Sequence, residues 1–83
     1  PNPFNGRASI VYQTLTRQDI AITIFNQLGQ KIIYTKRPKH HTGNHTFVWD
    51  GKNSIGNEMP SGVYFFSIAS STERNTKKLA YIK

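Results

Sequence analysis

IAITIFNQLGQKIIYTK, residues 20–36, is the stretch that decides the fold of this chain. Its first six residues alternate, so that Ile20, Ile22 and Ile24 share one face of a predicted strand. Gly29 lies where a tight hairpin needs a residue with positive φ, and the apolar residues after it return as the partner strand. The stretch therefore predicts an antiparallel hairpin with an apolar face.

Alternating apolar residues predict strands on both sides of this hairpin. The further predicted strands are 8–14, 45–50, 63–70 and 76–82, and polar loops are expected at 37–44 and 51–60. In 63–70 both faces are apolar, which is typical of a central strand, whereas the last strand is expected at a sheet edge. Short strands with turns every ~8–12 residues predict an all-β antiparallel sandwich of about seven strands. Its expected core is Ile22, Ile24, Phe47, Trp49 and Phe66.

The composition excludes several classes of protein. The 83 residues suffice for one domain, and the absence of cysteine removes disulfides, thiolate catalysis and zinc sites with Cys ligands. The formal charge of +7 should attract polyanions such as nucleic acid, an acidic membrane face or acidic glycans. No run of ~18 apolar residues exists. Because the chain begins with Pro1 rather than Met, we expect residues 1–83 to be one module of a longer precursor.

Three histidines invite a metal-binding interpretation. Imidazole is a good ligand for Zn or Cu, and His40, His41 and His45 lie close together in sequence. However, the first two are adjacent on a predicted loop, and no carboxylate lies nearby to complete a site or orient a ring. A solvated loop is therefore favoured over a metal site.

The segment from Asp50 to Glu58 has a weak similarity to a calcium loop. An EF-hand needs Asp or Asn at the third position and Gly at the sixth, but here those positions hold Lys52 and Ile55. The favoured role is a turn, held by hydrogen bonds from the side chains of Asp50 and Asn53 to the backbone.

The chain offers little for catalysis or for specific binding of nucleic acid. No nucleophile elbow or triad order occurs, and the four acids are isolated from each other in sequence. The basic run 36–39 has no accompanying aromatic platform on which bases could stack. We therefore expect no enzyme activity, no cofactor and no specific nucleic-acid partner.

Four stretches occur in the order and spacing of a known family. They are PNPFN (1–5), ITIFNQLGQ (22–30), WDGKNSIGNEMPSGVYFF (49–66) and KKLAYIK (77–83). Together they resemble the type A C-terminal sorting domain found on cargo of the bacterial type IX secretion system. They are also similar to the immunoglobulin-like domain of flagellar hook-capping proteins. The resemblance covers nearly the whole chain and implies an immunoglobulin-like sandwich.

The sorting-domain resemblance implies a function in protein secretion by a Gram-negative bacterium. The domain would be a C-terminal signal, recognised by the outer-membrane translocon and cut off by a sortase-type peptidase. The cargo would cross the periplasm and outer membrane and be secreted or held at the cell surface, where an anionic glycan is a candidate partner. The last strand, at a sheet edge, would offer its backbone to a partner strand. The implied recognition residues are Pro1, Asn2, Pro3, Phe4, Gly29, Gly62, Val63, Tyr64, Lys77, Lys78 and Leu79.

Three other functions remain open from the sequence. A carbohydrate-binding or structural module of a secreted multidomain enzyme predicts an exposed aromatic strip. A hook-cap-like assembly domain predicts self-association into a ring. A nucleic-acid binder predicts a salt-dependent phosphate footprint, and the residues favour it least.

Overall fold

A computed structural model describes residues 6–83, which form six β-strands. The strands are β1 (Ala8–Thr14), β2 (Gln18–Asn26), β3 (Lys31–His40), β4 (Gly43–Trp49), β5 (Gly62–Ala69) and β6 (Arg74–Tyr81). Within the described range there is no helix of the length and apolarity needed to cross a bilayer. The predicted recognition residues Pro1, Asn2, Pro3 and Phe4 lie outside that range.

The strands pair into two antiparallel sheets that pack face to face. The smaller sheet pairs β1 with β4, and the larger has the order β3-β2-β5-β6. The predicted all-β antiparallel sandwich is confirmed, with β5 central and β6 at an edge as expected. Six strands form rather than about seven, and residues 50–61, mostly expected as a polar loop, contribute only an isolated bridge between Lys52 and Glu58. That segment directs its backbone bonds mainly into its own turns, such as the one from the Asn53 amide to the Asn57 carbonyl.

The hairpin between β2 and β3 owes its shape to one asparagine and one glycine. The Asn26 Oδ1 atom accepts hydrogen bonds from the amides of Leu28 (3.0 Å) and Gln30 (2.9 Å). Gly29 has a φ of 80°, a conformation that costs a glycine little. These local bonds lie next to the pair Phe25 and Lys31, and a shift of register beyond that pair places Ile24 opposite Ile33 in the core layer.

Strand β3 is longer than the sequence predicts, and this corrects the polar loop expected at 37–44. The strand continues through Pro38 to His40, and β4 begins at Gly43. Pro38 is tolerated because β3 is an edge strand, where a missing N–H need not break a ladder. The ladder is irregular at this point, and the Lys39 amide donates to the Asp19 carboxylate at 2.8 Å instead. The Asp19 side chain thereby extends the strand past the proline.

The core lies between the two sheets. The side chains of Ile22, Ile24 and Phe66 are fully buried and Trp49 is 2% exposed, while Phe47 is half-buried against the same cluster. Each fully buried side chain of this size contributes roughly 1.5–3 kcal/mol. The expected core residues therefore all lie at the sheet-to-sheet contact, and the remaining surfaces are left for interaction.

Candidate functional site

The predicted recognition residues of the last strand do three different things. The Lys77 ammonium donates a 2.7 Å hydrogen bond to the carbonyl of Val11 in β1, across to the other sheet. Lys78 is opposite Phe65 and so projects from the outer side of the larger sheet. Leu79 packs against the core. The structure thus distributes these three neighbours over the edge, the outer face and the interior.

Three further predicted recognition residues, Gly62, Val63 and Tyr64, begin β5. The Tyr64 hydroxyl donates to the Pro60 carbonyl at 2.6 Å, and its ring meets Trp49 edge-on at 4.9 Å between centroids. Gly62 starts the strand, and Val63 is half-buried on its outer side. Burial raises the pKa of the Tyr64 hydroxyl, and Tyr81 raises it further, so the hydroxyl stays a donor. This segment is built as structural support.

The segment after β4 is the turn that the sequence predicts. The Asp50 carboxylate accepts from the Lys52 amide, and Asn53 Oδ1 accepts from the amides of Ile55 and Asn57, all within 3.2 Å. The Lys52 carbonyl in turn accepts from the Trp49 indole N–H at 2.9 Å. The Asp50 and Asn53 oxygens are thus engaged with backbone amides, and the expectation of a turn is confirmed.

The three histidines gather at one end of the sandwich. Ring centroids lie 4.0 Å apart for His40 and His45 and 4.8 Å apart for His41 and His45. Hydrogen bonds join His40 Nε2 to the Tyr12 hydroxyl (3.0 Å) and His45 Nε2 to the Thr14 hydroxyl (3.1 Å). Over residues 6–83 no group of three or more His, Cys, Asp or Glu has the arrangement of a metal site. The sequence shows these histidines to be near neighbours. Only the pairing of β1 with β4 brings His45 against Tyr12, and only the packing of the two sheets brings His40 of β3 against the same ring.

Electrostatics in this histidine cluster disfavour added positive charge. Burial lowers the pKa of His40 below the 6.5 usual for imidazole, and His45, His41 and Arg37 lower it further. Burial also raises the pKa of Tyr12, against the opposing effect of Arg37. His40 is therefore held as a neutral hydrogen-bonding partner of a neutral tyrosine.

The outer side of the larger sheet carries a group of cations that sequence reasoning missed. Cross-strand pairing aligns Lys36 with Ala21, Ala21 with Ala69, and Ala69 with Arg74 in one row. A parallel row aligns Lys31, Phe25, Phe65 and Lys78. We call this surface the basic face: the cations Lys31, Lys36, Arg74 and Lys78 around a floor of Ala21, Thr23, Phe25, Phe65, Ser67 and Ala69. Alternation along each strand indicates which of its residues share a face. The strand order is needed to show that these cations lie on the same side of one sheet.

Two solved structures share this fold. The chain superposes on FlgD from P. aeruginosa with a TM-score of 0.71 and 24% identity, over 89% of this chain and 57% of that one. It superposes on FlgD from Xanthomonas campestris, a structure described in terms of hook capping and flagellar assembly, with a TM-score of 0.69 and 26% identity over 92% and 56%. The chain thus spans little more than half of either structure. No curated protein sequence matches it significantly.

A family model of the FlgD Ig-like domain matches residues 4–74. Of the two resemblances, the one to the immunoglobulin-like domain of hook-capping proteins is confirmed. The expected type IX sorting function is wrong, and with it the translocon and sortase-type peptidase as partners and the secreted or cell-surface location of a type IX cargo. The same comparisons also overturn the alternative prediction, an accessory carbohydrate-binding or structural module of a secreted enzyme.

The reason for the error lies in what the shared motifs do. Asn26 and Gly29 shape a hairpin, Asp50 holds a turn, and Trp49 and Tyr64 fill the core. These residues report the sandwich and its turns rather than recognition by a translocon, so any domain with this fold can share them. Because the family model matches residues 4–74, which is most of the 83-residue chain, the chain belongs to the FlgD Ig-like domain family.

Proposed function

We propose that this domain is a noncatalytic assembly module that acts in hook capping during construction of a flagellum. The observation that carries the proposal is the family match over residues 4–74, together with the superposition on FlgD from X. campestris. The domain would act as one sandwich domain of a longer protein, which agrees with its spanning 56% of that structure.

The architecture suits a module that positions other proteins. Aromatic contacts tie the two sheets together, with Tyr12 and Phe47 of the smaller sheet each 5.8 Å from Phe66 of the larger one between centroids. The lysine bond from β6 to the Val11 carbonyl adds a tie at the sheet edges. A rigid sandwich of this kind holds its outer surfaces at fixed positions, which is what a scaffold within an assembly requires.

A domain exchange tests the proposal. In X. campestris FlgD the Ig-like domain is replaced either by this chain or by an unrelated immunoglobulin-like sandwich of similar size, and hooks are counted by electron microscopy. We expect hooks with this chain and markedly fewer with the unrelated sandwich. The unrelated sandwich fills the same space but lacks the surfaces of this chain that would contact other proteins of the assembly. Equal hook counts in the two chimaeras, with both proteins stably produced, would contradict the proposed function.

A further inference from the structure

We propose that the basic face is a docking surface for an acidic patch on a partner protein. The choice of a protein as partner rests on the assembly role proposed above, whereas the location and charge of the surface rest on the structure alone. Four strands supply this face, and its residues are dispersed from Ala21 to Lys78 in the sequence.

The geometry places two cations on each side of a weakly polar floor. Lys31 and Lys36 lie on β3 at one edge, and Arg74 and Lys78 lie on β6 at the other. Three strand intervals separate the two edges, which amounts to about 14 Å. All four side chains are exposed. The spacing leaves room for a partner's side chains between the two basic rims.

The floor between the rims is apolar or neutral and already well packed. Thr23 and Ser67 are buried although they are on the outer side of the sheet, and the Arg74 guanidinium donates to the Ser67 hydroxyl at 2.9 Å. Beside them, Ala21 and Ala69 form part of a depression of about 290 Å³, which Lys36 and Asp19 also line at one end of the face. Interfaces between proteins commonly combine an apolar centre with a charged rim, as this face does.

Positive charge on this face is largely uncompensated. Among residues 6–83 the only ion pair joins Lys83 to Glu58, neither of which belongs to the face. Two acids lie at one end of the sheet: Asp19, which accepts the Lys39 amide, and Glu73, which lies in the turn before Arg74. In the other row, Lys31 and Lys78 each pair with a phenylalanine, and neither forms an ion pair with a described residue. Charge complementarity therefore favours an acidic partner and disfavours a second copy of this chain, which carries +7.

The details of the face argue against the other polyanions. A bilayer surface would require protruding apolar side chains, yet the highly exposed Leu15, Leu28 and Ile55 lie in turns and loops rather than on this face. Single-stranded nucleic acid would require open rings for stacking. Tyr34 is 48% exposed, but the Lys31 ammonium already lies 4.9 Å from its ring centroid. An acidic protein surface fits both the floor and the rims.

The test is a titration of the 83-residue chain at low salt with a soluble peptide that alternates Glu and Val. Binding is monitored through the amide chemical shifts of the chain. We expect the shifts to cluster on the floor, at Ala21, Thr23, Ser67 and Ala69. K36E/K78E should weaken binding by about tenfold, since each rim pair contributes a modest energy. Its matched control, R7E/K52E, removes the same charge elsewhere and should change affinity by less than about twofold. Each double variant replaces two cations by two acids, so the two variants have the same net charge.

Several outcomes would overturn the proposal. Equal weakening by the two double variants, or shifts spread evenly over all the lysines, would show that the peptide responds to net charge and not to the basic face. Tighter binding of a single-stranded oligonucleotide or of phosphatidylserine vesicles than of the peptide would exclude a protein as the preferred partner. The chemical-shift map is measured on the unsubstituted chain, so this part of the test does not depend on whether a variant folds. Because no hooks are scored, its failure is separate from failure of the domain exchange.

Discussion

The Lys77 ammonium and the Val11 carbonyl, 66 positions apart in sequence, are joined by a hydrogen bond of 2.7 Å. Val11 lies on β1 of the smaller sheet, whereas Lys77 lies on the edge strand of the larger one. The sequence predicts this lysine as part of a recognition strand. In the structure it links the two sheets along the edges of β1 and β6, and each of these strands has a hydrogen-bonded neighbour on one side only.

Replacing Lys77 by methionine should lower the free energy of unfolding by about 0.5–1.5 kcal/mol, because the bond to Val11 is lost while the aliphatic stem is kept. Lys78→Met is the matched control, since that side chain points to the opposite side of the strand and should change stability by less than about 0.5 kcal/mol. Urea denaturation followed by Trp49 fluorescence measures both. Equal effects of the two substitutions would show that the bond does not stabilise the domain.

Gly51→Ala should be far more harmful than Gly56→Ala. Both glycines have positive φ, 78° and 90°, so either substitution incurs backbone strain of about 1 kcal/mol. A Cβ at Gly51 would also collide with the ring and hydroxyl of Tyr81, whereas one at Gly56 would meet nothing within 4 Å. We expect Gly51→Ala to cost about 1–3 kcal/mol more in urea denaturation. A difference near zero would contradict this packing.

Ile22→Ala tests the sheet-to-sheet core. Its side chain is fully buried, so its truncation should lower the free energy of unfolding by about 2–5 kcal/mol, through lost transfer energy and a residual cavity. Ile55→Ala removes the same atoms from a side chain that is 79% exposed and should change stability by less than about 0.5 kcal/mol. Thermal unfolding followed by circular dichroism distinguishes the two, and similar shifts in Tm would argue against the strand register described above.

Acidification should destabilise the domain through His40. Its pKa is lower in the folded chain than the 6.5 usual for an unfolded one, so below that value the unfolded chain binds more protons. The stabilisation is present in full above pH 6.5 and is lost as the pH falls through the folded pKa. Urea denaturation at pH 7.5 and 5.5 should therefore show lower stability at the acidic pH, and a smaller pH effect in His40→Gln. An unchanged pH effect in that variant would assign the loss to other groups.

NMR titration of the His40 ring can separate the causes that lower its pKa, which are burial and the neighbouring charges. Arg37→Gln should raise the His40 pKa but leave it below 6.5, because burial is the larger cause and remains. Lys52→Gln, which removes a cation from the loop after β4, is the control and should leave the titration unchanged. A full return to 6.5 in Arg37→Gln would show that burial contributes nothing.

Much of the fold was predictable from local chemistry. The alternation of Ile20, Ile22 and Ile24 has a period of two, which a strand with one buried face requires, and Asn26 with Gly29 defines a hairpin through bonds within five residues. The same locality explains the failure of the functional prediction. Motifs that shape turns and cores are shared by any domain with this fold, so they do not distinguish a sorting signal from a hook-capping module.

The sequence by itself determined the strands, the hairpin and most of the core, because side-chain period and turn preference act between near neighbours. Only the tertiary structure decided which strands adjoin. That order carried β3 past Pro38, joined Lys77 to Val11 and stacked His45 on Tyr12. It also brought cations from β3 and β6 onto one face. These relationships depend on pairing between distant segments, which alternation along a single strand does not encode.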